Sequence, residues 1–178
     1  GPDGSWEVLD FAPRLPKGWG VDAPIQVMRV LRPLHGLNRL RVDFDPRLDY
    51  ARGETRLIPR TDAIEIQGNG GPLLLQTNLP VNYVLGKRDF VLDGPVFFAL
   101  TYGGNGSLTL PQVLQALDLT IEGWRRWAKT CALPLFKPEM VLRSALCLKL
   151  HAFEDTGAII AATTTSIPES LGTPRPWE

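Results

Sequence analysis

A chain of 178 residues, 44% apolar and 21% charged, has room for one folded domain plus part of a second, and its composition excludes an intrinsically disordered chain. Lysine plus arginine and aspartate plus glutamate balance at 19 each, so there is no net field to draw nucleic acid or an anionic bilayer, and no apolar run approaches the roughly 20 residues that cross a membrane. Cys131 and Cys147 fit neither a CxxC redox motif nor zinc-knuckle spacing, which makes a reducing, cytoplasmic location the expectation.

From residue 6 to residue 102, short alternating segments are broken by Gly, Pro, Asn and Asp, the pattern of antiparallel β layers. Strands are predicted at 6–11, 25–31 and 37–44. In the last, Leu40, Val42 and Phe44 share one face and Arg39, Arg41 and Asp43 the other, so one side is buried and one wet. Residues 63–67 and 73–77 flank Gly68-Asn69-Gly70-Gly71, a run able to take the positive φ of a hairpin turn. Further strands are predicted at 81–85, 90–92 and 96–101, and Val96-Phe97-Phe98-Ala99-Leu100, apolar on both faces, reads as a central one. Arg39, Arg41, Arg47, Arg52, Arg56 and Arg60 make this region locally basic. At period two most of them fall on the solvated side of strands, which explains them without a polyanionic partner.

Beyond Gly103-Gly104-Asn105-Gly106 the hydrophobic period lengthens to about 3.6. Leu114, Leu117, Ile121, Trp124 and Ala128 form the stripe of an amphipathic helix, and Thr109 with Gln112 forms a capping box at its start. A second helix is predicted from Pro138, a residue suited to the first helical position, to a stop before Gly157. It is apolar on nearly every side through Met140, Val141, Leu142, Ala145, Leu146, Cys147, Leu148 and Leu150, with Cys147 read as a small buried hydrophobe. Such a helix must be surrounded by protein, and the preceding sequence offers it few partners. Three regions follow: a β layer at 1–106, a linker helix at 107–137 and a further helical portion at 138–178.

The 103–106 loop lies between a strand and a helix, as phosphate-binding loops do. No Gly-Lys-Ser/Thr follows it and no G-x-G-x-x-G fits, so it reads as an interdomain turn. His35 and His151, the only histidines, have no partners at metal-ligand or triad spacing, so neither a metal nor another cofactor is expected. Among tryptophans able to stack on sugars, Trp19, Trp124, Trp127 and Trp177, the helical stripe accounts for Trp124 as core, whereas Trp177 sits in a polar, Pro-punctuated stretch. Glycoside hydrolysis by direct displacement needs two carboxyls roughly 6.5–9.5 Å apart, one protonated and one activating water. Of the acids in the helical portion, Glu139 reads as a helix-start acid and Glu154-Asp155 as a helix-end turn; with Glu169 and Glu178 they form no evident pair, and no catalytic residue is assigned.

Arg143-Ser144-Ala145-Leu146-Cys147-Leu148-Lys149, then Gly157-Ala158-Ile159-Ile160-Ala161-Ala162-Thr163-Thr164-Thr165-Ser166-Ile167-Pro168-Glu169, then Trp177-Glu178 together resemble the opening of the catalytic domain of the bacterial glucoamylase-like and trehalase-like enzymes of glycoside hydrolase family 15. Upstream, Leu9-Asp10-Phe11-Ala12-Pro13-Arg14, Phe44-Asp45-Pro46-Arg47-Leu48-Asp49-Tyr50, Ala99-Leu100-Thr101-Tyr102-Gly103 and Trp124-Arg125-Arg126-Trp127 resemble further motifs of that family in the same order. The resemblance implies an antiparallel β-sandwich, a linker helix and the first helix of an (α/α)6 barrel. It implies an enzyme that hydrolyses α-linked glucosides or trehalose with inversion, using two glutamates on later barrel helices. Trp177 and Glu178 then match the start of the run that opens the sugar pocket and are candidate substrate-binding residues, Trp177 as pocket wall or as packing. Pro176 and Glu178 depart from the family's usual Asn or Thr and Asp, which leaves substrate choice open. The expectation is an internal fragment of such a hydrolase, inactive alone, whose partners are an α-glucoside or trehalose and the remainder of the barrel. The alternative is a free-standing β-sandwich carbohydrate-binding or protein-interaction module without catalysis.

Overall fold

The computed structural model describes residues 4–18, 20–104, 106–154 and 156–160. Its strands are β1 (Gly4–Phe11), β2 (Leu15–Lys17), β3 (Gly20–Asp22), β4 (Gln26–Gly36), β5 (Arg39–Arg41), β6 (Arg56–Pro59), β7 (Ala63–Gln67), β8 (Leu73–Thr77), β9 (Asp89–Val91) and β10 (Val96–Tyr102), and its helices are α1 (Val81–Leu85), α2 (Leu110–Ala128) and α3 (Pro138–Leu150). Six strands pair antiparallel in the order β1-β4-β10-β8-β7-β6, while β2 with β3 and β5 with β9 form two-stranded sheets. The protein is thus mainly β and antiparallel, with helices on its C-terminal side. It divides into two compact units, Gly1–Ile121 and Glu122–Glu178, the division falling inside α2.

In the first unit the centre of the six-stranded sheet is covered on both faces, as the continuous apolar run of β10 requires. Phe97 and Ala99 of β10 lie opposite Val30 and Met28 of β4, and these four pack with Val113 and Ala116 of α2. The neighbouring positions point the other way. Val96 packs with Leu31, Phe90 and Leu92, and Phe98 and Leu100 approach Ile64, Ile66, Leu75 and Val84, so β5, β9, α1 and the segment around Val42 to Leu48 form the second layer. The predicted β7–β8 hairpin is present, with Gly70 at φ 113° and Gly71 at φ 93° supplying its turn. A Cβ on Gly71 would meet Tyr102 Oη at 2.7 Å, so its turn conformation and this close approach both require glycine.

Several segments differ from the sequence pattern for identifiable reasons. Residues 81–85, predicted as a strand, form α1: Pro80 at φ −54° leads the chain into a turn, Tyr83 N–H donates to Pro80 O at 2.8 Å and Gly86 N–H to Asn82 O at 3.0 Å. The single turn places Val81 and Val84 against the same core cluster, so tertiary packing overrides β-branched propensity. The 37–44 strand is cut to β5 because its partner β9 is three residues long; Val42 and Phe44 still reach the core, from a segment outside any sheet. The buried stripe of α2 is Val113, Ala116, Leu117 and Thr120, rotated from the predicted one toward smaller residues that let the helix sit close to the sheet. Thr120 is tolerated there because its hydroxyl donates to Ala116 O at 2.7 Å and accepts from Arg14 N–H at 3.0 Å. Thr109 and Gln112 cap α2 as predicted, with Gln112 Oε1 accepting from Thr109 N–H at 2.8 Å.

In the second unit, α3 begins at Pro138 as predicted but buries none of its residues: Met140, Leu148 and Leu150 are each more than 60% exposed. Cys147, read as buried, is exposed for the same reason. The contrast is measurable in a urea titration. Phe97→Ala, at a fully buried site, should lose about 3–5 kcal/mol, whereas Leu148→Ala should stay within about 0.5 kcal/mol of the parent chain.

Candidate functional site

Trp177 and Glu178, the residues that the resemblance assigns to substrate, lie outside the described residues, as do Trp19, Asp155 and Glu169. His151 closes α3, where its Nδ1 lies 2.8 Å from Cys147 O, and His35 is exposed near the end of β4. Trp124 and Trp127 form an edge-to-face pair with centroids 6.1 Å apart and planes at 85°, and both are half-buried. Glu139 is the first-turn acid of α3, and Glu154 accepts from Lys149 Nζ at 3.1 Å. Among the described residues, no group of three or more His, Cys, Asp and Glu side chains is placed to hold a metal ion, and no helix is long and apolar enough to cross a membrane.

The six arginines of the basic stretch are exposed, but only Arg39, Arg41 and Arg56 lie on strands. The others sit in turns and connections, each beside a carboxylate. Arg47 Nη2 lies 2.7 Å from Asp45, Arg52 Nη2 is 2.5 Å from Asp49 and Arg60 pairs with Glu65, while Arg56 meets Glu54 at 2.9 Å. The charge of these four, Arg47, Arg52, Arg56 and Arg60, is answered locally, which weakens the case for a polyanion-binding face. The Phe44-to-Tyr50 motif leads into a tight 3-10 turn in which Asp49, Tyr50 and Ala51 all take positive φ, held by Leu48 N–H on Thr55 Oγ1 at 3.2 Å and Arg52 N–H on Asp49 O at 3.0 Å.

On the sheet face opposite α2, a groove of about 540 Å³ opens between β1 and β4 on one side and the 40–44 segment on the other. Trp6, Val8 and Val27 line it at 40%, 42% and 59% exposure, beside Leu40 and Phe44. Asp10 and Arg29, directly opposite each other in the β1–β4 ladder, form a bidentate pair within it: Arg29 Nε and Nη2 donate to Asp10 Oδ1 and Oδ2, both at 2.7 Å. Sequence alternation finds the inward face of β1 but not this exposed one, because Trp6 and Val8 also satisfy the pattern of a buried strand.

Arg29's hydrogen bonds hold the Asp10 carboxyl below its ordinary value of 3.8, outweighing the upward push of partial burial. Glu54 is held down by Arg56, and Glu65 by Gln67 first and Arg60 second. A general acid needs the opposite push, toward the protonated form near neutral pH, so these three carboxylates are suited to binding and not to proton donation. The groove offers an indole face, aliphatic neighbours and a self-neutralised ion pair, which is the chemistry of a contact surface.

The chain is 30% identical over 147 residues to a trehalase of Thermoplasma acidophilum, covering 79% of this chain and 25% of that protein. It is 29% identical over 194 residues to a trehalase of Mycolicibacterium smegmatis, covering 98% and 29%, and 31% identical over 183 residues to a trehalase of Mycobacterium tuberculosis, covering 93% and 26%. The chain therefore spans about a quarter of the length of these curated relatives. No family model matches the chain, and no solved structure matches it with significance.

The Asp10–Arg29 pair yields a pH test. Asp10 has a folded-state pKa below its unfolded one, so its contribution is fully present above the unfolded value and is lost as pH falls through the folded value. Both side chains are about half exposed, which limits the pair to about 1 kcal/mol. Asp10→Asn should lower stability by that order at neutral pH, and the gap to the parent chain should close in acid below the ordinary carboxylate range, as followed by urea denaturation across pH.

Proposed function

We propose that this chain is part of a trehalase-like glycoside hydrolase of family 15, acting in the cytoplasm on trehalose or another α-linked glucoside. In this reading residues 1–106 form the β-sandwich, 107–137 the linker helix and 138–178 the start of an (α/α)6 barrel. The observation that supports it most is α3. Its apolar residues surround the helix, none is buried, and the proteins named trehalase that the chain resembles along 79–98% of its length are roughly three to four times as long. A helix of that composition is stable only inside a larger body, and further helices of a barrel are the body that the resemblance supplies.

The chemistry follows from direct displacement. One carboxyl protonates the glycosidic oxygen while a carboxylate on the opposite side of the sugar activates water, and the anomeric centre inverts. Asp10, Glu54 and Glu65 are held ionised by cationic or amide donors, which argues against the proton-donating role, and the two catalytic carboxyls are assigned to barrel helices outside this chain. Trp177 and Glu178 would stand at the wall of the pocket that receives the terminal glucose, where an indole face packs on a sugar ring and a carboxylate accepts from its hydroxyls.

The test is glucose release from trehalose and from maltose, assayed on the longer gene product and on this chain side by side. The longer product should release β-glucose from the non-reducing end of maltose and α- and β-glucose in equal amounts from trehalose, where the leaving glucose keeps its α configuration, read by proton NMR before mutarotation, and this chain should release none. Turnover by this chain that disappears on replacing one of its own acids would overturn the assignment of the catalytic carboxyls.

A further inference from the structure

The sheet face on the α2 side holds one polar side chain that packing leaves unanswered. Gln76, on β8, is only 5% exposed, and among the described residues nothing offers a hydrogen bond to its Oε1. Its two cross-strand neighbours are Ala63 on β7 and Ala99 on β10. Neither alanine can answer the amide, and Gln76 itself lines a concavity beside it. Gly103, Gly104 and Ser107 line the same concavity, of about 580 Å³. This volume falls in the range of small-molecule sites, roughly 300–1,000 Å³.

The polar groups around the concavity are mostly hydroxyls and acceptors. Thr61 and Ser107 bring hydroxyls, Asp62 a carboxylate, and Glu65 a carboxylate held ionised by Gln67 Nε2 at 2.6 Å and by Arg60 Nε at 3.0 Å. The cation present, Arg60, is thus engaged with Glu65, while acceptors remain at the rim and at the buried amide. A buried carbonyl oxygen without a donor is costly, and such groups in native proteins point to a partner that the chain itself does not supply. That partner must bring O–H or N–H donors and must not be an anion, because Asp62 and Glu65 outnumber Arg60. A set of mixed hydroxyl and acceptor groups around one buried acceptor matches a ligand that is itself a dense array of hydroxyls.

We infer that this concavity binds a small neutral polyhydroxylated molecule, a free mono- or disaccharide or a related polyol, with Gln76 Oε1 accepting from one ligand hydroxyl and Glu65 or Asp62 from others. The site is non-catalytic. It belongs to the first unit alone and does not rest on the hydrolase assignment: sugar binding by this chain and glucose release by the longer protein succeed or fail separately.

The experiment is a titration of this chain, labelled with nitrogen-15, with trehalose and with glucose, following the Gln76 side-chain amide and the backbone amides of Ala63 and Ser107. Saturable shifts confined to these groups are expected. Gln76→Leu, which replaces the orphan acceptor with an apolar group of similar length, should weaken binding roughly tenfold or more while keeping the fold. Asp62→Asn, a change on the exposed rim, should weaken it by a smaller factor and covers the case in which the buried variant does not fold. Linear, unsaturated shifts up to the solubility limit of both sugars, or saturable shifts unchanged in Gln76→Leu and Asp62→Asn, would overturn the inference and leave Gln76 as a water-binding group.

Discussion

Strand β10 is enclosed on both of its faces, and the architecture of the first unit depends on that enclosure. Phe97 and Ala99 can be buried only if a helix lies against them, and Val96, Phe98 and Leu100 only if a second layer covers the other side. Asn78 fixes where the strand begins: its Oδ1 accepts from Phe97 N–H at 2.9 Å and its Nδ2 donates to Pro95 O at 3.0 Å. The small side chains at Ala99 and Ala116 set how closely α2 approaches, and Thr120 answers its own polarity within the helix. Each fully buried apolar side chain here contributes about 1.5–3 kcal/mol relative to exposure, which is why one strand can organise two layers.

α3 shows the same chemistry without its complement. Its leucines and methionine have the composition of a core helix and the exposure of a surface one. Read physically, that mismatch is a statement about partners. The apolar surface is too extensive for an independent solvated helix. On the β layer itself, the groove beside Trp6 offers an indole and aliphatic contact surface.

Sequence pattern was most legible where one rule dominates. Gly70 and Gly71 announced the β7–β8 hairpin because positive φ leaves little choice of residue, and the two-sided apolar run of β10 announced a central strand. It was least legible where rules compete. Val81 to Leu85 has strand propensity, yet a preceding proline and a nearby core make one helical turn the better solution. The β2–β3 pair was missed because Pro16, Gly18 and Gly20 read as loop, and β6 because Arg56 and Pro59 bracket only two apolar residues. Gln76 was hidden for a related reason. Within Leu73-Leu74-Leu75-Gln76-Thr77 it looks like the polar end of a strand, and only the pairing that puts an alanine on either side of it reveals a buried, unanswered acceptor.

Amide hydrogen exchange resolved along the chain tests most directly whether the β layer stands alone while α3 waits for a larger helical body. In this chain the amides of β4 and β10 should exchange slowest, with α3 exchanging orders of magnitude faster, and α3 should become as protected as β10 in the longer gene product. Protection of α3 equal to that of β10 in this chain, as a monomer, would contradict it.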